Sequence, residues 1–501
     1  MRAPLAGLDG QGFDVAVVGA GAVGCATARE LAARGFRVLL VDRGDIGAGT
    51  SSRSSRMLYS GLGYLAVRYP LWQMALRPRD MLRRLAYTRD VMRCRAELVR
   101  DMPGHLTRHR FHYPFRKGDR YPPWLVDLGF KLVEGLGGWK VPLSYRRKRV
   151  AQAAGDSAMA AELARTQGGA LTGIGTFQEY MYAWPERICV DTSLDAERRG
   201  ATLRTYTAVT GIERAGDAWQ LTLEDRVLDA ERAQVRAAVV VNAAGPWIDR
   251  VPGGGQGPRV LGVKGVNVMV RLPADFRGQG LEAFSTKGEP YYVFPWRDLH
   301  FIGPTETVVR DDPDTIRVTE SEVDYILAQF NHLFPTLNLT RADVVHCWCG
   351  VRPTSTLDGQ ETVLPVRVVE QPDRPNLLAV TGSTIMLHRH AARMAARAVE
   401  RRLGRRGAPA GGAIPAPDSD IARILRTEHV THLDDLIRRR LPLGLDPDLG
   451  RDSAEEISRA AATALGWSEE RRRAELERFH QETDRIYPAM APVSARLRRT
   501  G

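Results

Sequence analysis

The sequence predicts an α/β protein that opens with a strand, turn, helix, strand unit, continues into further sheet and closes with a small all-helical unit. Three observations predict it. A G-x-G-x-x-G run, Gly19 to Gly24, lies between a continuously apolar stretch, FDVAVVGA (Phe13 to Ala20), and an alanine-rich stretch at helical spacing, Val23 to Arg34. Buried-strand runs recur far down the chain, at Ala237 to Ala243 (AAVVVNA) and Asn376 to Thr381 (NLLAVT). A segment rich in Pro, Gly and Ala, Gly404 to Asp418, precedes a final stretch, Ile421 to Tyr487, that reads as helical throughout.

The remaining elements follow in order. Arg37 to Val41 supplies the second strand of the opening unit, the minimum of a dinucleotide fold. From Leu65 to Tyr182 the pattern is helical and irregular, with Pro and Gly marking loops in its latter half. Arg204 to Asp225 alternates as strands do and breaks at Gly216. Val260 to Leu272 and Tyr291 to Gly303 read as strands of a second, substrate-facing sheet. Ser321 to Phe334 reads as a helix with Ser321 as its cap, and Met386 to Leu403 as a long helix rich in alanine and arginine.

Composition bounds the class. With 501 residues, 44% apolar and 26% charged, the chain has the profile of a soluble globular protein of two or three domains. No apolar run reaches the roughly 18 residues of a spanning helix. The apolar run near the N-terminus reads as strand and glycine turn, not as an export signal. Five cysteines, scattered and without metal-ligand spacing, fit a reducing cytoplasmic setting. Cys347 and Cys349 read as two small buried side chains on one face of a strand. The net charge of +12 concentrates between Arg77 and Arg149, where arginines interleave with aromatics. Solvated side chains, a membrane surface and an anionic substrate all fit that segment, and no nucleic-acid-binding motif accompanies it.

The chemistry sits first in the glycine run. Gly19 permits a tight turn, Gly21 lets the backbone approach a pyrophosphate and Gly24 allows close helix-to-strand packing, while the helix N-terminus offers free N–H groups. Asp42, at the end of the second strand, is placed to accept hydrogen bonds from a ribose and to repel a phosphorylated one. Asp45 to Tyr64, DIGAGTSSRSSRMLYSGLGY, adds hydroxyls and backbone amides where a flavin and its pyrophosphate need donors. That stretch selects FAD over NAD.

With these residues in view, the sequence resembles the FAD-dependent glycerol-3-phosphate dehydrogenases. The family's T-S-S-x-S-S-K signature stands here as Thr50 to Arg56, followed by Met57 to Leu65. The resemblance continues through VNAAGPWID (Val241 to Asp249), FIGPTET (Phe301 to Thr307), SEVDYILAQFNHLF (Ser321 to Phe334), GVRP (Gly350 to Pro353) and EHVTHLDDLIRRR (Glu428 to Arg440). It implies a Rossmann-type FAD-binding domain assembled from residues 13–72, 183–255 and 345–403. An inserted α+β substrate domain (73–182 and 256–344), a linker (404–418) and a C-terminal helical domain (419–501) complete the expectation. A non-covalent FAD would be held by Gly19, Ala20, Gly21, Gly24, Asp42, Arg43, Thr50, Ser51, Ser54, Gly61, Val209, Ala244, Gly245, Gly382 and Ser383, Val209 through its backbone next to the adenine. The resemblance further implies hydride transfer from a carbinol C–H to flavin N5, a small-molecule alcohol as substrate, and a quinone at a membrane surface as electron acceptor. An oxidase using oxygen would carry the same motifs.

Three departures fall where the family does its substrate chemistry. Its H-G-G-L-R-Y histidine is Tyr59 here, its arginine is Gly63, and the lysine of its G-G-K-x-T-T-Y-R motif is Thr384. Each charge-assisted bond to an anion contributes about 1.5 to 3 kcal/mol. The expected substrate is therefore a polyol, a sugar-like or a natural-product alcohol rather than glycerol 3-phosphate. A divergent glycerol-3-phosphate dehydrogenase and a flavin-binding protein with a non-redox role are the alternatives. His388 is the first choice for the group that takes the hydroxyl proton and Tyr59 the second, while Arg352 is expected to contact the substrate or the developing oxyanion.

Overall fold

A computed structural model describes residues 4–60, 62–65, 71–74, 76–228, 231–253, 260–357, 360–361, 366–415 and 418–488. Strand β1 (Gly12–Val18), helix α1 (Ala22–Ala33) and strand β2 (Val38–Val41) form the opening unit. β1 pairs in parallel with β2 on one side and with Arg232–Asn242 on the other. Leu377–Thr381 and Thr202–Arg204 extend the parallel array at either side, and the antiparallel strand Arg367–Glu370 closes one end. β1 and β2 carry Val15, Val17, Val38 and Leu40 into one buried layer, where α1 packs with the helices Pro185–Arg198 and His388–Leu403. The hairpin Thr207–Ala215 and Ala218–Asp225, turning at Gly216, covers part of the other face with Trp219 and Leu221.

A second, mostly antiparallel sheet stands beside the first. Its order runs Gln360–Glu361, Val344–Leu357, Val260–Val270, Leu299–Gly303, Pro290–Trp296, Gln279–Phe284, Leu106–Arg116, Leu171–Tyr182 and Met57–Leu58. One face packs on helices that include Ala158–Gln167 and Glu320–Leu333. The other carries Phe111, Phe177, Phe294, Phe301 and Trp348.

Several expectations change here. Two long strands, Leu106–Arg116 and Leu171–Tyr182, occupy the stretch that reads as helical and irregular. In the first of these, exposed residues with two arginines precede a run of five buried ones, which hides any alternation. Residues 345–357, expected in the FAD domain, belong to the strand Val344–Leu357, which runs the length of Val260–Val270 in the second sheet. Thr319, not Ser321, caps the helix at Glu320: the Glu322 carboxylate accepts from the Thr319 N–H at 2.9 Å. Residues 404–415 of the expected linker are docked, with Gly407 O accepting from Arg34 at 3.2 Å and Ile414 buried. The C-terminal helices enclose their own core of Ile424, Leu433, Leu436, Ile457 and Phe479. All five cysteines are buried and unbridged.

Candidate active site

The glycine run forms the tightest backbone contacts of the site. Gly19 has φ +105°, and a Cβ there would lie 2.9 Å from Ala243 O. A Cβ on Gly24 would overlap the Gly19 carbonyl, so the first turn of α1 fits against the end of β1 only with glycine at 24. Gly21 is the residue before the helix and brings no capping side chain of its own. The Ala22 N–H donates to Ser51 Oγ at 3.0 Å, which brings the hydroxyl segment over the helix start. The Asp42 carboxylate accepts from Ala20 N–H at 2.6 Å and from Gly44 N–H at 2.8 Å. Burial lifts its pKa above the ordinary aspartate value, with those two N–H groups pulling the other way.

These residues line one end of a cavity of about 1730 Å3. Fourteen of the expected site residues share its wall: Gly19, Gly21, Asp42, Arg43, Thr50, Ser51, Ser54, Tyr59, Val209, Ala244, Gly245, Arg352, Gly382 and Ser383. Ala20 and Gly24 lie beneath it and shape the turn, and Gly61 lies outside the described residues. Arg43 pairs with Asp314 at 2.7 Å while its guanidinium lies 5.3 Å from the Trp247 ring. The backbone approach at Gly21, the helix start with Ser51 on its first N–H and the Asp42 carboxylate fit the pyrophosphate and ribose of a dinucleotide.

Aromatic rings line part of the wall from the second sheet and its neighbours. Tyr59 stands edge-on to Tyr64 (5.4 Å) and to Tyr292 (5.9 Å), and Tyr64 edge-on to Tyr87 (4.8 Å). A Cβ on Gly63 would overlap Tyr59 Oη, so the tyrosine at 59 and the glycine at 63 belong together. Thr384 also lines the cavity, and its buried hydroxyl has no partner among the described residues. Arg352 is half-exposed and bound to Glu306 at 2.6 Å. His388 is fully buried and is not part of the cavity wall. Its Nδ1 lies 2.6 Å from Ile385 O, and burial drives its pKa down to about 4. The position with access to the cavity is therefore Tyr59.

Sequence reasoning missed the groups behind Tyr59. Tyr59 Oη and Tyr292 Oη donate to Glu282 Oε1 at 3.3 and 3.4 Å. Glu282 is 2% exposed, and burial followed by the nearby Glu179 lifts its pKa to about 8. Glu179 accepts from Ser60 N–H at 2.8 Å and faces Arg95 at 3.4 Å. The available signal was a lone acid in an otherwise apolar strand, LEAF, which a sequence offers equally to solvent.

Comparison with known proteins agrees with this architecture. The family described as FAD dependent oxidoreductase matches residues 14–398. A Synechocystis protein named glycerol-3-phosphate dehydrogenase is 31% identical over 366 residues, 70% of this chain and 62% of that protein. An aerobic glycerol-3-phosphate dehydrogenase of Bacillus subtilis is 27% identical, over 70% of this chain and 60% of its own length. The chain thus spans about three fifths of these relatives. The structure of the glycerol-3-phosphate dehydrogenase from Bacillus halodurans complexed with FAD superposes with a TM-score of 0.73 at 20% identity, covering 98% of this chain and 97% of that one.

Proposed function

Because the chain belongs to the FAD-dependent oxidoreductase family, we propose that it oxidises a CH–OH group of a polyol, sugar-like or natural-product alcohol rather than glycerol 3-phosphate. FAD, when bound, would supply the hydride acceptor, flavin N5. Gly19, Gly21, Ser51 and Asp42 hold the nucleotide, with Val209, Ala244, Gly245, Gly382 and Ser383 along the same wall. One observation carries the substrate reading: Tyr59 fills the space that a side chain at 63 would need. The two positions where the resembling family has a histidine and an arginine thus present a phenol and no side chain at all. Of the two arginines kept from the family's motifs, Arg389 is paired with Asp101 and Arg352, on the cavity wall, is held by Glu306 and orients a polar oxygen rather than neutralising a free phosphate.

Anaerobic mixing tests this. A panel of sugar alcohols and larger secondary alcohols is expected to bleach the flavin faster than glycerol 3-phosphate does. Efficient bleaching by glycerol 3-phosphate alone sinks the substrate reading in favour of a divergent glycerol-3-phosphate dehydrogenase, and no bleaching by any alcohol favours a non-redox role.

The reading extends to the electron acceptor. Seven of the nine large apolar side chains exposed among the described residues lie between 72 and 139. Trp124, Leu128 and Leu132 form a stripe along the helix Pro123–Leu136, beside Lys131 and ahead of Trp139. Trp72, Leu76 and Leu82 stand exposed with Arg77, Arg79 and Arg83 near the start of the preceding helix, Pro78–Asp101. Exposed tryptophan and leucine flanked by cations suit a peripheral contact with anionic lipid, which supports a quinone over oxygen as acceptor. No described helix is long and apolar enough to cross a membrane. Cosedimentation with anionic vesicles, weakened by Trp124→Ser, and flavin reoxidation faster with vesicle-borne quinone than with oxygen are the expected results.

A further inference from the structure

Removing a hydride from a carbinol carbon leaves the hydroxyl proton to be taken up by the protein. Tyr59 offers its hydroxyl to the cavity, but burial raises its own pKa well above the ordinary tyrosine value, with Glu282 adding to the effect. A resting tyrosinate is therefore not available near neutral pH. A phenol that cannot ionise can still relay a proton, provided that a second group accepts the one it gives up.

The geometry supplies that second group. Glu282 and Tyr292 face each other directly across the antiparallel pair Gln279–Phe284 and Pro290–Trp296. Tyr59, on the loop after Met57–Leu58, closes over the same carboxylate oxygen. Glu282 Oε2 is buried and has no hydrogen-bond partner among the described residues. The other groups around it are accounted for. Glu179 comes from Leu171–Tyr182 and faces Arg95 of the helix Pro78–Asp101 at 3.4 Å; burial raises its pKa and the Arg95 charge opposes that rise. Tyr113 comes from the neighbouring strand Leu106–Arg116, near enough for the Glu282 charge to lift its pKa further after burial. Arg95 lies against Glu179 and donates to the Val141 and Gln178 carbonyls, and no ion pair among the described residues reaches Glu282. A like charge nearby and an apolar wall make it the group that exchanges a proton within the working range of an enzyme.

Resting on the reading of this site as an alcohol-oxidising one, we propose that Glu282 is the proton store of the reaction, a positioning residue that acts through the Tyr59 hydroxyl. With FAD bound, flavin N5 would take the hydride with the carbinol C–H electron pair, and the O–H electron pair would become the second bond of the carbonyl. The hydroxyl proton passes to Tyr59 Oη as the Tyr59 proton passes to Glu282 Oε1. Tyr59 ends as it began, Glu282 ends protonated, and its proton returns to solvent between turnovers. The Tyr292 hydroxyl holds the carboxylate oxygen in line throughout.

The test uses the FAD-loaded protein and its Glu282→Gln, Glu282→Asp and Tyr59→Phe variants. Infrared difference spectra between pH 6 and pH 9.5 are expected to show one buried carboxyl losing its proton near pH 8. That band disappears in Glu282→Gln and shifts in Tyr59→Phe. Flavin bleaching by the preferred alcohol is expected to rise with pH through the same range. In Glu282→Gln it slows by about a hundredfold and loses that limb, while apparent substrate affinity changes less than about threefold. Glu282→Asp restores part of the rate and the limb. A Glu282→Gln protein that keeps rate and pH limb overturns the relay, as does a carboxyl band indifferent to Tyr59→Phe. If no alcohol bleaches the unaltered protein, the alcohol reading fails by itself, and the infrared bands still decide whether Glu282 and Tyr59 share a proton. Should Glu282→Gln fail to fold, Tyr292→Phe takes its place, with the band shifted and the limb displaced.

Discussion

Arg440 of the C-terminal unit donates to both carboxylate oxygens of Asp45, at 2.8 Å to Oδ1, and both side chains are fully buried. Asp45 belongs to the turn that follows Asp42, the carboxylate proposed to take the ribose. Burial alone would raise its pKa, but Arg440 and then Arg439 pull it below the ordinary aspartate value. The helical unit is thus fastened to the nucleotide end of the cavity by a desolvated ion cluster. Asp45→Asn leaves two buried arginines with less charge opposite them and is expected to cost about 3 to 5 kcal/mol, with loss of bound flavin. Denaturant titration followed by flavin and by tryptophan fluorescence checks both effects. Adding Arg440→Met to Asp45→Asn should recover part of the loss, because the unpaired charge goes with it; strictly additive losses would refute the coupling.

Gly24→Ala asks whether the turn tolerates one methyl group. The added Cβ meets the Gly19 carbonyl, which is main chain and cannot swing away. The expected outcome is a folded second sheet with flavin binding weakened by at least about tenfold, read by equilibrium dialysis. Wild-type affinity would show that the helix shifts freely.

Tyr59 and Gly63 should behave as one unit. Gly63→Arg alone is expected to lower stability by about 1 to 3 kcal/mol, since its side chain must displace the partly buried Tyr59 ring. Tyr59→His with Gly63→Arg relieves the overlap and adds charge to the cavity. In the double variant, bleaching by phosphorylated alcohols should gain more than the sum of the single changes on a logarithmic scale. Purely additive changes would mean the two departures arose without regard to each other.

Which of these features the sequence made legible follows from their range. Gly19, Gly21, Gly24 and Asp42 lie within one strand, turn, helix, strand unit, so their placement follows from local spacing. Thr50 to Ser54 needed only the knowledge that the next segment returns over that turn. Glu282 depends on three separated pieces: the Tyr292 register, the return of Met57–Leu58 to the sheet edge and the Glu179–Arg95 pair. No window of sequence contains them together. His388 misled in the opposite sense, because a histidine at a helix start reads the same whether its ring faces a cavity or, as here, the core.

Acid should destabilise the fold through its buried histidines. His112, His300 and His388 are each driven by burial from 6.5 to about 4. Their folded values lie below the unfolded one, so as pH falls below 6.5 the unfolded chain takes up protons that the folded chain refuses. Stability is lost between pH 6.5 and about 4 and levels off below that, by about 3 kcal/mol for each histidine at most. His388 gives the cleanest test, since its Nδ1 meets only the Ile385 carbonyl and its Nε2 has no partner among the described residues. His388→Gln keeps a donor for that carbonyl and removes the titrating ring. Urea midpoints measured at pH 7 and pH 4.5 should differ less in this variant than in the unaltered protein, while the pH dependence of flavin bleaching above pH 6 stays in place. An equal difference in midpoints would show that the ring is not titrating, and an altered bleaching profile would return His388 to the chemistry.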